Sequence, residues 1–116
     1  MTASELRIGN WINKVTDFAG KNNYIQATIE DIVKVKEHPS HYIDIPLTEE
    51  WLLKFGFEES GGHFETNPAL WVSIGGLTGP TDIWIHGEYV PSVKIGYVHQ
   101  LQNLYFALTG QELLIH

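Results

Sequence analysis

The chain predicts an α+β fold: a twisted antiparallel β-sheet packed against two helices, at about 48–55 and 98–109. Three observations carry that expectation. The second half alternates apolar and polar residues in short runs separated by Gly/Pro turns, and strands joined by short turns pair antiparallel. Two segments show helical spacing with a start or stop signal, Thr48 before one and Gly110 after the other. The 116 residues, 43 % of them hydrophobic, suit one globular domain, 1–116, with one ordinary core.

Taken in order, ELRIGNWINKV reads as a first strand, with Gly9-Asn10 as a bulge or kink before Trp11 and Ile12. GKNN at 20–23 is a turn signal. Tyr24 to Lys36 is rich in β-branched residues. Ile25, Ala27 and Ile29 share one phase, Val33 and Val35 another, which predicts a bulge or two successive strands. EHPS (37–40) reads as a turn, and Ile43, Ile45 and Leu47 line one face of a returning strand. An SH3-like or barrel-like N-terminal half is one form these strands could take.

The Thr48 hydroxyl suits a helix N-cap, where it accepts an orphan backbone N–H. Leu47 and Leu52 stand at staple positions, and Glu49, Glu50 and Lys54 complement the helix dipole. Gly56 can take the left-handed stop conformation. Two turns of helix are too few to stand alone, so Trp51, Leu52 and Phe55 must anchor it. Beyond it, Gly61-Gly62 suggests a hairpin. Leu70, Val72 and Ile74 alternate with Trp71 and Ser73, LTGPTD (77–82) reads as a loop, and Ile83 and Ile85 alternate with Trp84 and His86. Pro91-Ser92 turns the chain into a strand through Val93, Ile95 and Tyr97. In the closing helix, Val98, Leu101, Leu104, Tyr105 and Leu108 form an apolar stripe; His99, Gln102, Asn103 and Phe106 fall on the other side. Leu113 to Ile115 adds a packing segment.

Composition narrows the function classes. Fourteen acidic and seven basic residues give a net charge of −7, with the lysines scattered, so a phosphate-backbone binder is disfavoured. No apolar run approaches a membrane span, and the N-terminus lacks a secretory pattern. The absence of cysteine removes disulfides, thiolate metal sites and Cys nucleophiles, and fits a cytoplasmic setting. Glu49, Glu50, Glu58, Glu59 and Glu65 cluster with Lys54 as their sole base, either a solvated face or a docking patch for a basic partner.

Catalytic and metal motifs are thin. His38 and His41 stand three apart with Glu37 and Asp44 near, and Asp82 and His86 elsewhere, but nothing in the spacing makes three or four ligands converge. No serine sits in a nucleophile elbow, and IGGLTGP lacks the Lys-Ser/Thr ending of a phosphate loop. No catalytic residue, cofactor or metal is assigned. The aromatics say more. Trp71 and Trp84 oppose the aliphatic face of their strands together with His86, forming either a core face or an interface. Phe106, beside His99, Gln102 and Asn103, is open to the same two readings: packed under the tail, or presented to a partner or a second copy.

The stretches LRIGNW, IPLTEEWLLKFGF and IGYVHQLQNLYFALTGQELLI resemble a family of short uncharacterised bacterial and bacteriophage-associated proteins, over roughly a third of the chain. The resemblance implies a cytoplasmic bacterial or phage setting and supplies no catalytic residues. The expected function is therefore a non-enzymatic binding or protein-interaction module, an accessory protein of phage or mobile-element origin. Its candidate surface is Trp71, Trp84, His86, His99, Gln102, Asn103 and Phe106, for a protein partner or self-association. The alternative is a small ligand-binding protein or enzyme with a His/Trp pocket near Trp84 and His86.

Overall fold

Two antiparallel sheets and three helices make up the regular structure of the described residues, an α+β mix in which both sheets are open. A computed structural model describes residues 1–15, 22–66, 70–76 and 79–115. Its contacts group the chain into two units, Met1–Pro46 with Tyr97–Leu104, and Leu47–Gly96 with Tyr105–His116. Part of the turn expected at 20–23 lies outside the described residues; of the loop expected at 77–82, residues 77–78 do too, and 79–82 are strand instead of loop.

In the first unit, strand β1 (Trp11–Lys14) pairs with β2 (Tyr24–Gln26) on one side and β3 (Tyr42–Ile43) on the other. This three-stranded sheet does not close, so the barrel-like expectation is corrected. Leu6 to Asn10 is not strand: a 3-10 turn over Ala3–Glu5 leads into it, and Gly9 takes φ +95°. The second correction is larger. Helix α1 (Ile29–Glu37) stands where β-branched alternation predicted strands. A reciprocal cap decides it. Asp31 N–H donates to Thr28 Oγ1 at 3.2 Å, and Asp31 Oδ2 accepts from Thr28 N–H at 3.0 Å and from its hydroxyl at 2.9 Å. Glu30 and Lys34 add an i,i+4 pair at 3.1 Å. Val33 and Val35 do not share a face as strand periodicity required; Val35 is buried with Leu6, Ile12, Ala27 and Tyr42, and Val33 is exposed. The Tyr42 hydroxyl donates to Asp31 Oδ1 at 3.1 Å. Burial pushes the Asp31 carboxyl up, but the bonds from Thr28 and Tyr42 and the Lys14 charge outweigh it and hold it below its usual range. Burial and that same carboxylate push the Tyr42 phenol up to about 12.

In the second unit, Thr48 caps α2 (Glu49–Lys54) as expected, its hydroxyl accepting from Trp51 N–H at 3.4 Å. Gly56 takes φ +85°. Trp51, Leu52, Phe55 and Phe57 are buried. Five strands follow in sequential order: β4 (Glu58–Ser60), β5 (His63–Thr66), β6 (Leu70–Gly76), β7 (Gly79–Ile85) and β8 (Glu88–Tyr89). Gly61-Gly62 turns β4 into β5, both at positive φ, as the hairpin signal predicts. The alternation of Ile83 and Ile85 with Trp84 stops before His86, where a second hairpin forms: His86 (φ +52°) and Gly87 (φ +80°) turn β7 into β8. Residues 93–96 form no strand, and Leu47 N–H bonds Gly96 O at 2.9 Å.

Helix α3 (Val98–Thr109) has the predicted span, and Gly110 stops it at φ +72°. Its start is held in the first unit by the Pro46–Tyr97 bridge and by Val98 N–H donating to Ile45 O at 2.8 Å. Its buried face differs from the predicted stripe. Val98 and Leu101 are buried as expected, but Leu104 and Tyr105 are half-buried and Leu108 is exposed. Of the closing segment, Leu113 is buried while Leu114 and Ile115 are exposed. No helix of the described residues is long and apolar enough to cross a membrane.

Candidate functional site

Strand periodicity splits the β4–β8 sheet into two chemically different sides. Phe64, Leu70, Val72 and Ile83 point to one side and are buried. The other side carries a row set by register. Glu58 opposes Glu65, Glu65 opposes Trp71, Trp71 opposes Trp84, and Trp84 opposes Tyr89. Trp71 and Trp84 are half-buried and Tyr89 is 48 % exposed, so the row is neither sealed core nor bare surface. His63 stacks on Trp71 with centroids 4.8 Å apart and lies tilted 6.3 Å from Trp84. Trp84 and Tyr89 are 5.4 Å apart at an interplanar angle of 44°. Polar groups edge the rings: His63 Nε2 sits 3.4 Å from Glu65 Oε2, the Tyr89 hydroxyl donates to Asp82 Oδ1 at 3.0 Å, and Lys94 Nζ lies 3.8 Å from that oxygen. The bond to Asp82 raises the Tyr89 phenol above its usual range.

The expected partnership of Trp84 with His86 is replaced by one with His63. His86 occupies the hairpin turn and is exposed, because the chain reverses there instead of continuing as strand. His63 was not singled out from sequence. The signal was present in Gly61-Gly62: a two-residue turn pairs Ser60 with His63 and so sets which side His63 takes.

The polar side of α3 is a different case. His99 and Gln102 are each 1 % exposed, which overturns their expected place on an open surface. Backbone from the end of the 3-10 turn to the start of β1 takes up Gln102 and Asn103. Gln102 Oε1 accepts from Trp11 N–H at 2.7 Å and its amide donates to Gly9 O at 3.2 Å. Asn103 Oδ1 accepts from Arg7 Nε at 2.9 Å and from Asn10 Nδ2 at 3.0 Å, while its amide donates to Glu5 O at 2.8 Å. Peptide groups outside a helix or sheet need such partners when buried. Two carboxylates flank the His99 ring: Nδ1 is 3.7 Å from Asp44 Oδ1 and Nε2 is 3.9 Å from Glu5 Oε2. Neither nitrogen makes a hydrogen bond among the described residues. Tyr97 stacks on the ring at 6.1 Å. Burial lowers the His99 pKa; Asp44 and Glu5 pull it upward without overcoming that, and the N-terminal amine adds to the lowering. A histidine this enclosed has no open side for a substrate. Phe106, further along α3, is 38 % exposed.

No group of three or more His, Asp or Glu side chains among the described residues is placed to hold a metal ion. His38 and His41 stack at 5.1 Å around the 3-10 turn Pro39–His41. A groove of about 570 Å³ lies along α1, lined by Ala3, Ile32, Val33, Lys36 and Glu37, away in sequence from every residue of the aromatic row. Comparison of the chain with protein-family models, with curated proteins and with solved structures finds no match.

Proposed function

We propose that the protein is a non-enzymatic binding module that engages a protein partner through the row Glu65, Trp71, Trp84 and Tyr89 of its five-stranded sheet. One observation carries this reading: the sheet is dry on the Phe64/Val72/Ile83 side and keeps four adjacent rings half-open on the other. Aromatic side chains are the residues that dominate interface energetics when a partner completes their burial. The resemblance of the three motifs supports a cytoplasmic accessory role of phage or mobile-element origin. The pocket reading centred on Trp84 and His86 loses its support once His86 stands in the turn.

A photo-cross-linking residue at Ser73, on the tryptophan side of β6, tests the proposal in a lysate of the source cells. The expected result is an adduct that Trp84→Ala abolishes and that the same cross-linker at Leu53, on exposed α2 surface, does not form. Equal adducts at both positions, or adducts indifferent to Trp84→Ala, overturn it.

A further inference from the structure

The geometry points to a cationic occupant for this surface: we infer that the aromatic row takes an arginine-bearing segment of the partner, with the guanidinium over the rings and against the Glu58/Glu65 carboxylates. The inference rests on the reading of the row as the binding surface. Charge distribution is the first argument. The unit Leu47–Gly96 with Tyr105–His116 holds eight of the fourteen acidic residues but only two of the seven basic ones, Lys54 and Lys94. Nearly all of the chain's net −7 therefore belongs to the unit that carries the row.

The second argument is local. Glu58 and Glu65 are direct register partners on β4 and β5. Like charges placed opposite each other across a strand pair destabilise a sheet. Of the two cations of this unit, Lys54 pairs with Glu50 and the Trp51 ring, and Lys94 pairs with Asp82 at the Tyr89 edge of the row. The carboxylate pair adjoins Trp71 through Glu65. A cation seated there gains both carboxylate charge and a ring face. The chain already uses that combination once, with Lys54 Nζ 4.7 Å over the Trp51 ring and 3.6 Å from Glu50. Arginine fits better than lysine, because a planar guanidinium stacks on a ring and forks onto carboxylate oxygens at once.

Other occupants fit less well. The negative unit repels a phosphate backbone. A second copy in a two-fold pairing would set this acidic surface against itself.

A titration of the whole chain, followed by calorimetry and tryptophan fluorescence, reads the outcome. The probe is an end-blocked eight-residue peptide alternating Arg and Gly, with Lys/Gly and Glu/Gly peptides alongside. The Arg peptide should bind most tightly and the Glu peptide not at all. Trp84→Ala should weaken it about tenfold or more, and Trp84→Phe, which keeps an aromatic ring in place, about threefold. Glu65→Gln should weaken binding and flatten its salt dependence, while Glu49→Gln, on α2 of the same unit, should leave it within about twofold. Binding that falls equally with Glu49→Gln and ignores Trp84→Ala would be charge alone and overturns the inference. If the Ser73 cross-linker captures a partner in a Trp84-dependent way and the Arg peptide neither binds nor competes, the cationic occupant is wrong and the binding surface stands. If neither cross-linking nor peptide binding depends on Trp84, both fail.

Discussion

The polar side of α3 and the aromatic side of the β4–β8 sheet look alike in sequence, each a mixture of rings, amides and charges opposite an aliphatic stripe. They end in opposite states. Gln102 and Asn103 meet backbone at the ends of short elements, and their amides are spent on Trp11 N–H at the start of β1, on Gly9 O in the turn before it and on Glu5 O at the end of the 3-10 turn. The strands from β4 to β8 bond one another, and the rings of the row make their contacts with other side chains. His63 lies against both Trp71 and Trp84, Trp84 against Tyr89, and the row remains half-open. The lesson is that polarity alone does not mark a surface: amide side chains are drawn inside where backbone groups at the ends of short elements take them as partners.

Substitutions on the two regions should separate them by stability. Leu101, fully buried on α3, sets the upper scale: Leu101→Ala should cost roughly 2–5 kcal/mol in urea unfolding, the range of a buried large-to-small change. Gln102→Ala comes next. It removes the bonds that a side chain only 1 % exposed makes to Trp11 N–H and Gly9 O, for a loss of about 1–3 kcal/mol. A loss under about 0.5 kcal/mol, normal for a surface position, would place Gln102 outside and break the contrast.

His99 adds a pH dependence on the same side. Its pKa in the folded chain is lowered from the usual 6.5, so just below pH 6.5 the unfolded chain binds a proton that the folded chain refuses. Stability should therefore fall as pH drops from 7.5 to 5.5, until the folded-state value is passed. In His99→Gln the urea midpoint should vary less with pH over that range. The Asp31 carboxyl, also lowered, acts in the same direction but in a more acidic window, as pH falls below its usual 3.8. An equal slope in the variant would remove His99 as the cause.

The smallest effect is expected on the sheet. Glu58→Gln should leave the fold unchanged or raise its stability by a few tenths of a kcal/mol, because it relieves the carboxylate pair with Glu65. A loss above about 1 kcal/mol would make the pair structural and remove one argument for a cationic partner.

Much of this molecule was legible along the chain. The Thr48 cap, the Gly56 and Gly110 stops, the Gly61-Gly62 hairpin and the alternation of β6 and β7 rest on interactions within a few residues, and each is found as read. Trp71 and Trp84 could be assigned to one side of their sheet by parity alone. Several local signals were misread, the Leu6/Ile8 and Val93/Ile95 alternations, which form no strand, among them. At α1, β-branched alternation outweighed the Thr28/Asp31 cap, although the cap was written in the sequence. At His86-Gly87, histidine in the left-handed region hid a turn that asparagine would have announced.

What only the tertiary structure decided is long-range. Gln102 and Trp11 are 91 residues apart, Asn103 and Glu5 are 98, and no periodicity reports that such groups meet. Likewise nothing in the spacing of Glu58, Glu65, Trp71, Trp84 and Tyr89 announces a single row; strand register assembles it. By itself the sequence determined the elements whose hydrogen bonds close within a turn, because caps, stops and hairpins bond near neighbours. Burial and juxtaposition depend on which distant backbone is left unpaired and which strands align, and the free energy of those contacts exists only once the chain is folded.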